Sequence, residues 1–169
     1  KGLELSLEQK MKILENIDVP IRLDISGGDP IILTDSLELI KRATDKFGRD
    51  SISIYVTENS LSTLDPRLIS ELVSRIAVTC WPKSPELSKL RVLVESGIRI
   101  KAQLPIFRDL NEDFIYKTYI ELNQIRVDEL LLMRPLCVGR YTERKKDLPT
   151  EESLKRTIQI FRYLEDRYQ

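Results

Sequence analysis

Ile21-Arg22-Leu23-Asp24-Ile25-Ser26-Gly27-Gly28-Asp29-Pro30 sets how the rest of the chain is read. A short β-favouring run, 21–25, stops at two glycines, and a helix-period run follows from Ser36. The next β-rich run, 52–57 (Ile-Ser-Ile-Tyr-Val-Thr), completes a β–α–β unit. Three further strand candidates lie at 75–80, 98–104 and 128–133. All are short and rich in Ile, Val and Leu, the composition of strands covered on both faces. The intervening runs carry helix signals. Ser6 with Gln9 predicts a capping box ahead of an apolar face of Leu7, Met11 and Leu14. Ser36 opens a helix with Leu37, Ile40 and Phe47 on one stripe, and Gly48 is placed to end it. Asp65-Pro66 and Ser84-Pro85 pair an N-cap with proline at the first helical position, and Gly97 closes the second helix. A helix at 112–125 presents Ile115, Leu122 and Ile125. The last starts at Thr150, with Leu154, Ile158, Phe161 and Leu164 as its stripe.

One helix followed by five βα units predicts an α/β fold with parallel strands joined by right-handed crossovers. A complete eight-unit barrel takes about 250 residues. At 169 residues the chain is expected to form a partial (β/α) TIM-like barrel, a single domain over 1–169 with about five parallel strands alternating with helices. Residues 134–149 form its longest irregular stretch.

Composition removes several chemistries. There is no histidine, so Ser-His-Asp and Cys-His systems and His-based zinc sites cannot be built. Lys and Arg total 27 against 27 Asp and Glu, which leaves no basic footprint for nucleic acid. No apolar run approaches the roughly 18–20 residues of a membrane helix. Cys80 and Cys137 form no disulfide framework, so a reducing, cytoplasmic setting is expected.

In parallel α/β folds, ligands bind beyond the carboxyl ends of the strands. That rule selects the loops 26–30, 58–60, 81–83, 105–107 and 134–136. Gly27 and Gly28 allow close approach of a ligand to the backbone. Asp29 adds a carboxylate, which favours a ligand amine or hydroxyl over phosphate. A plain βα turn uses the same residue types. An acid–base pair of Asp29 and Glu58 is a further reading of the same loops. Trp81 is read as packing on its loop or stacking on a substrate, and Cys137 as more exposed than Cys80. The basic segment 140–146 is read as a solvated loop or a guide for an acidic partner.

The segment Leu23-Asp24-Ile25-Ser26-Gly27-Gly28-Asp29-Pro30 resembles the strand-plus-Gly-Gly-Glu-Pro element of radical S-adenosylmethionine enzymes, with Asp29 where Glu is usual. The likeness continues in order along residues 3–165. Tyr55–Asn59 resembles the end of the third strand, and Ala77-Val78-Thr79 the end of the fourth. Val94–Ile98 is similar to the Gly-Ile turn before the fifth. Leu132–Pro135 with Gly139-Arg140 resembles the sixth strand and the Gly-Arg turn of peptide-modifying and cofactor-maturing members.

The resemblance implies that Gly27, Gly28 and Asp29 bind the amino group of S-adenosylmethionine. Thr79 would contact its ribose or carboxylate. Thr57, Asn59 and Gln103 would line the same mouth, and backbone around Met133–Pro135 would meet the adenine. It also implies a 4Fe-4S cluster, an electron donor, and a small-molecule or peptide substrate attacked by a 5′-deoxyadenosyl radical. The family's Cys-x3-Cys-x2-Cys cluster motif is absent, so no metal ligand is assigned within these residues. The chain is therefore expected to be a fragment covering the second to sixth βα units, inactive alone. The alternative is a degenerate, non-catalytic barrel that binds a nucleotide-like ligand or a protein partner.

Overall fold

The computed structural model describes residues 5–19, 22–26, 29–32, 35–80, 87–108, 110, 112–137, 142–143 and 146–168, without the side chains of Glu58 and Ser88. Helix α1 (Leu7–Glu15) precedes strand β1 (Leu23–Ile25), helix α2 (Ser36–Phe47) and strand β2 (Ile52–Thr57). A short helix α3 (Glu58–Leu61) and then α4 (Pro66–Leu72) lead to β3 (Arg75–Thr79). Helix α5 (Leu87–Glu95), β4 (Arg99–Pro105), α6 (Glu112–Ile125), β5 (Glu129–Met133) and α7 (Glu151–Tyr168) complete the order. The five strands form one parallel sheet in the sequential order β1-β2-β3-β4-β5, not closed into a barrel.

Sequential order has a consequence for the two faces. A doubly wound sheet reverses strand order and covers both faces. Successive crossovers of one hand without reversal place every helix on the same side. Side-chain packing agrees. Leu23, Ile25, Ile52, Ile54, Val56, Ile76, Val78, Ile100 and Ala102 pack with Leu14, Ile40, Ala43, Ile69, Leu90, Leu93, Leu122 and Ile125 from α1, α2, α4, α5 and α6. Leu104, Leu130 and Leu132 continue that face against Ile115 of α6 and Phe161 and Leu164 of α7. The alternate residues, Asp24, Ser53, Tyr55, Thr57, Arg75, Ala77, Thr79, Lys101, Gln103 and Glu129, share the other face by register. The expectation of strands covered on both faces is corrected here. Helices cover one face only; the opposite face is mostly polar along β1–β4, with Ala77, Leu131 and Met133 among its apolar members and Ser53, Ala77 and Gln103 buried on it.

The predicted helix signals were mostly found in place. Ser6 and Gln9 form the reciprocal capping box of α1. The Asp65 carboxylate accepts the Arg67 amide at 2.9 Å, with Pro66 at the first helical position. The Thr150 hydroxyl accepts the Ser153 amide at 3.1 Å ahead of α7. Three details differ. Asp35, not Ser36, occupies the N-cap of α2, and Ser36 is buried inside the first turn. Residues 58–60 form the start of α3 in place of an open loop. On α7, Ile158 lies at the exposed margin while Thr157 is buried, its hydroxyl bonded to the Ser153 carbonyl at 2.9 Å. Ser84 and Pro85 lie outside the described residues.

Two helix ends make a direct comparison. After α5, Gly97 has φ 79°, with its amide on Val94 O and the Ile98 amide on Leu93 O. After α6, Arg126 has φ 65°, with its amide on Asn123 O and the Val127 amide on Leu122 O. Both are Schellman closures, which favour glycine at the left-handed position. Gly97→Ala is expected to lower stability by about 1 kcal/mol, because a β-carbon is strained at that φ. Arg126→Gly is expected to raise it by about 0.5 kcal/mol, relief of strain being partly offset by the freer unfolded chain. Thermal melts of the two variants should move in opposite directions. A stabilising Gly97→Ala would contradict this account.

Candidate functional site

The site expected at the carboxyl ends of the strands can be built from β1 outward. Asp29 follows β1 and turns its carboxylate toward the end of β2. Its Oδ2 accepts the Thr57 amide at 2.8 Å, the Thr57 hydroxyl at 2.7 Å and the Ser60 hydroxyl. Its Oδ1 accepts the Ile31 amide at 3.1 Å. A carboxylate oxygen offers about two acceptor positions, so three donors crowd Oδ2, while Oδ1, with one bond among the described residues, keeps a position for a ligand. Burial by itself would raise this carboxyl. The bonds from Ser60, from the Thr57 hydroxyl and amide and from Ile31 outweigh it and hold the group below its ordinary value.

Asp29 is thus a clamp between the β1 exit and the β2 exit, fixed in its ionised form. This geometry weighs against a proton-shuttling role for Asp29. Ser60 lies in the 58–60 loop expected to face ligands, but is not among the site residues expected there. It is 1% exposed and points its hydroxyl at a carboxylate 31 residues earlier in the chain. Only the nearness of its loop to Asp29 in the βα layout signals it.

Thr57, Thr79 and Gln103 form a row. Register pairs Thr57 with Thr79 and Thr79 with Gln103, so the three side chains stand side by side on the helix-free face. Parallel, evenly spaced strands place such partners about 4.8 Å apart. The Thr79 hydroxyl meets Gln103 Oε1 at 3.4 Å, a long contact. Gln103 is 7% exposed, and its amide nitrogen has no partner among the described residues. Turning the amide over exchanges which end is bonded and still leaves the other end unpartnered. Buried polar groups are paired in the large majority of cases, so this amide calls for an acceptor.

The other predicted positions are placed differently. Asn59 is exposed on α3 and stands outside the hydrogen-bonded row. The Met133 carbonyl accepts the Ile106 amide at 2.8 Å, which takes one of its two acceptor positions at the β5 exit. Cys80 is buried and Cys137 exposed, as expected. Gly27, Gly28, Trp81, Gly139, Arg140 and the side chain of Glu58 lie outside the described residues.

Below the row, the same face carries an ionic layer. Arg22 meets Asp24 at 2.8 Å, and Asp24 also accepts the Ser53 hydroxyl. Lys101 meets Glu129 at 2.8 Å across the β4–β5 register pair. Burial would raise the Asp24 carboxyl, but the bonds from Ser53 and Arg22 and the charges of Arg22 and Arg75 hold it low. The sequence signal for this layer is plain period-two alternation, Ser53-Tyr55-Thr57 against Ile52-Ile54-Val56.

Neither a protein-family model nor a curated protein matches the sequence. Among the described residues, no group of three or more Cys, Asp or Glu side chains is arranged to hold a metal ion. No described helix is long and apolar enough to cross a membrane.

Proposed function

We propose that this chain binds S-adenosylmethionine over the carboxyl ends of β1–β4, as its part of a radical S-adenosylmethionine enzyme acting on a small-molecule or peptide substrate. The observation that carries this reading is the Thr57–Thr79–Gln103 row beside the Asp29 clamp, with the buried Gln103 amide still lacking an acceptor. Such a ligand offers matching groups. The Gln103 amide donates to a ribose oxygen or the carboxylate, and Thr79 keeps lone pairs for a ribose hydroxyl. The remaining Oδ1 position of Asp29 suits the ammonium, a charge-assisted bond.

The residues present do not fit the family's iron–sulfur cluster. Cys80 is buried on the helix side at the end of β3, and Cys137 is exposed after β5. Such a cluster needs ligands from outside these 169 residues, and with them an electron donor. The scarcity of cysteine is also what favours the second reading, a non-catalytic barrel holding a nucleotide-like ligand in the same row.

Calorimetric titration with S-adenosylmethionine tests the pocket. Saturable binding is expected, with Gln103→Ala weakening it about tenfold, the equivalent of 1.4 kcal/mol. Thr79→Ala is expected to weaken it by a smaller factor. No binding, or unchanged affinity in both variants, would refute the pocket. The intact protein, supplied with iron, sulfide and reductant without oxygen, then separates the readings. Formation of 5′-deoxyadenosine supports the enzyme, and binding without cleavage supports the non-catalytic barrel.

A further inference from the structure

The geometry points to a second binding site, for a carboxylate or phosphate group, on the helix-free face at the amino ends of β3 and β4, with Arg75 and Arg99 as its ligands and Lys101 and Tyr55 at its border. Arg75 and Arg99 are register partners, which sets their backbones about 4.8 Å apart with both side chains on one face. Like charges directly opposite one another on a sheet repel and lower stability. The charge of Asp24 offsets part of that repulsion on the Arg75 side, without a bond to it. Neither guanidinium makes a hydrogen bond or an ion pair among the described residues, and Arg75 is only half-exposed.

The nearest carboxylates on this face are already engaged. Asp24 holds Arg22 and Ser53, and its charge also reaches Arg75. Glu129 holds Lys101, whose side chain is 17% exposed. Among the described residues the face therefore carries four cations, Arg22, Arg75, Arg99 and Lys101, against the carboxylates of Asp24 and Glu129, in a chain whose formal net charge is zero.

Two adjacent guanidinium forks suit a planar carboxylate or a phosphate, which each can grip with paired N–H donors. Tyr55 and Lys101 flank Ala77 in the next row, so the smallest side chain of that row lies between a hydroxyl and an ammonium. The site sits four residues down β3 from Thr79, roughly 13 Å along the strand. It stands independently of the cofactor row and of the cysteine count.

Titration followed by two-dimensional amide NMR tests it, with inorganic phosphate in one arm and succinate in the other, at low and matched ionic strength. At least one anion is expected to bind saturably, with shifts centred on Tyr55, Ala77 and Lys101. The arm that saturates at the lower concentration identifies whether phosphate or carboxylate is the fitting group. Arg75→Gln is expected to weaken binding at least tenfold. Arg91→Gln, an exposed change on α5, is expected to leave it unaltered. Arg75→Lys keeps the charge but loses the fork, and an intermediate affinity is expected. No saturable shift with either anion overturns the inference, as do shifts centred elsewhere or equal losses in the Arg75 and Arg91 variants. Titrating S-adenosylmethionine into Arg75→Gln keeps the two sites apart. Anion binding lost with cofactor affinity retained supports two sites, and loss of both refutes their independence.

Discussion

Asp29→Ala is expected to lower the stability of the protein by about 3 kcal/mol and to remove binding at the carboxyl-end row. The carboxylate receives the Thr57 amide, the Thr57 hydroxyl, the Ser60 hydroxyl and the Ile31 amide. Removing it strands the Thr57 amide and a Ser60 hydroxyl that is 1% exposed. A buried donor left unpaired costs about 1–3 kcal/mol, and rotating hydroxyls recover part of that loss. Asp29→Asn keeps one acceptor oxygen and places an amide donor among other donors, so an intermediate loss is expected. Urea unfolding measures both. A cost below about 1 kcal/mol for the alanine variant would mean the clamp does not hold the loop.

The pH dependence has a definite sign. The folded carboxyl lies below its ordinary value, so the unfolded chain binds the proton first as pH falls. The stability from the ionised clamp is present in full above about pH 4–5 and is lost as pH drops through the lowered folded value. The difference between the wild type and Asp29→Asn should therefore be constant from about pH 5 to 8 and shrink below about pH 4. A difference that grew on acidification would contradict a clamp that works in its ionised form. Asp24, held low by Ser53 and Arg22, adds acid sensitivity of the same sign, so the comparison must be made against the asparagine variant.

Local chemistry made some elements legible. The run Ile52–Thr57 is a strand with the expected bounds, because β-branched residues alternate with polar ones after a glycine. Ser6 with Gln9 and Asp65 with Pro66 specify helix starts through bonds that span only two or three residues. The side of the sheet facing the helices depends on strand order, which no single segment contains. For that reason the Ile-rich strands read as covered on both faces, although the alternation that marks a one-sided sheet was present in them. The short helix after β2 has the same explanation. Ser60 is drawn toward Asp29 by a bond across 31 positions, beyond the reach of any local pattern. The loops bearing the site followed from the strand ends. The alignment of Thr57, Thr79 and Gln103 depends on register between strands 22–24 positions apart, which only the assembled sheet fixes.

The one-sided core makes a second large prediction. Ile54, Ile76 and Ile100 are register partners on β2, β3 and β4, and all are fully buried beneath the helices. Ile76 is the middle of that row on the central strand. Ile76→Ala leaves a void walled by two neighbouring strands and by helical side chains that cannot all close in, which places its cost at about 4 kcal/mol, within the upper half of the range for such truncations. Tyr55 stands on the opposite face in the adjoining row, half-exposed and outside both apolar clusters. Tyr55→Ala deletes more atoms, yet its cost is expected at about 2 kcal/mol, because no apolar cluster encloses the ring and water can enter the gap beside its polar neighbours. Denaturant unfolding of the two variants compares the faces directly. A sheet covered on both sides would make the tyrosine truncation at least as costly as the isoleucine one. The reverse order is required if apolar burial lies on the helical side and the polar face is left for ligands.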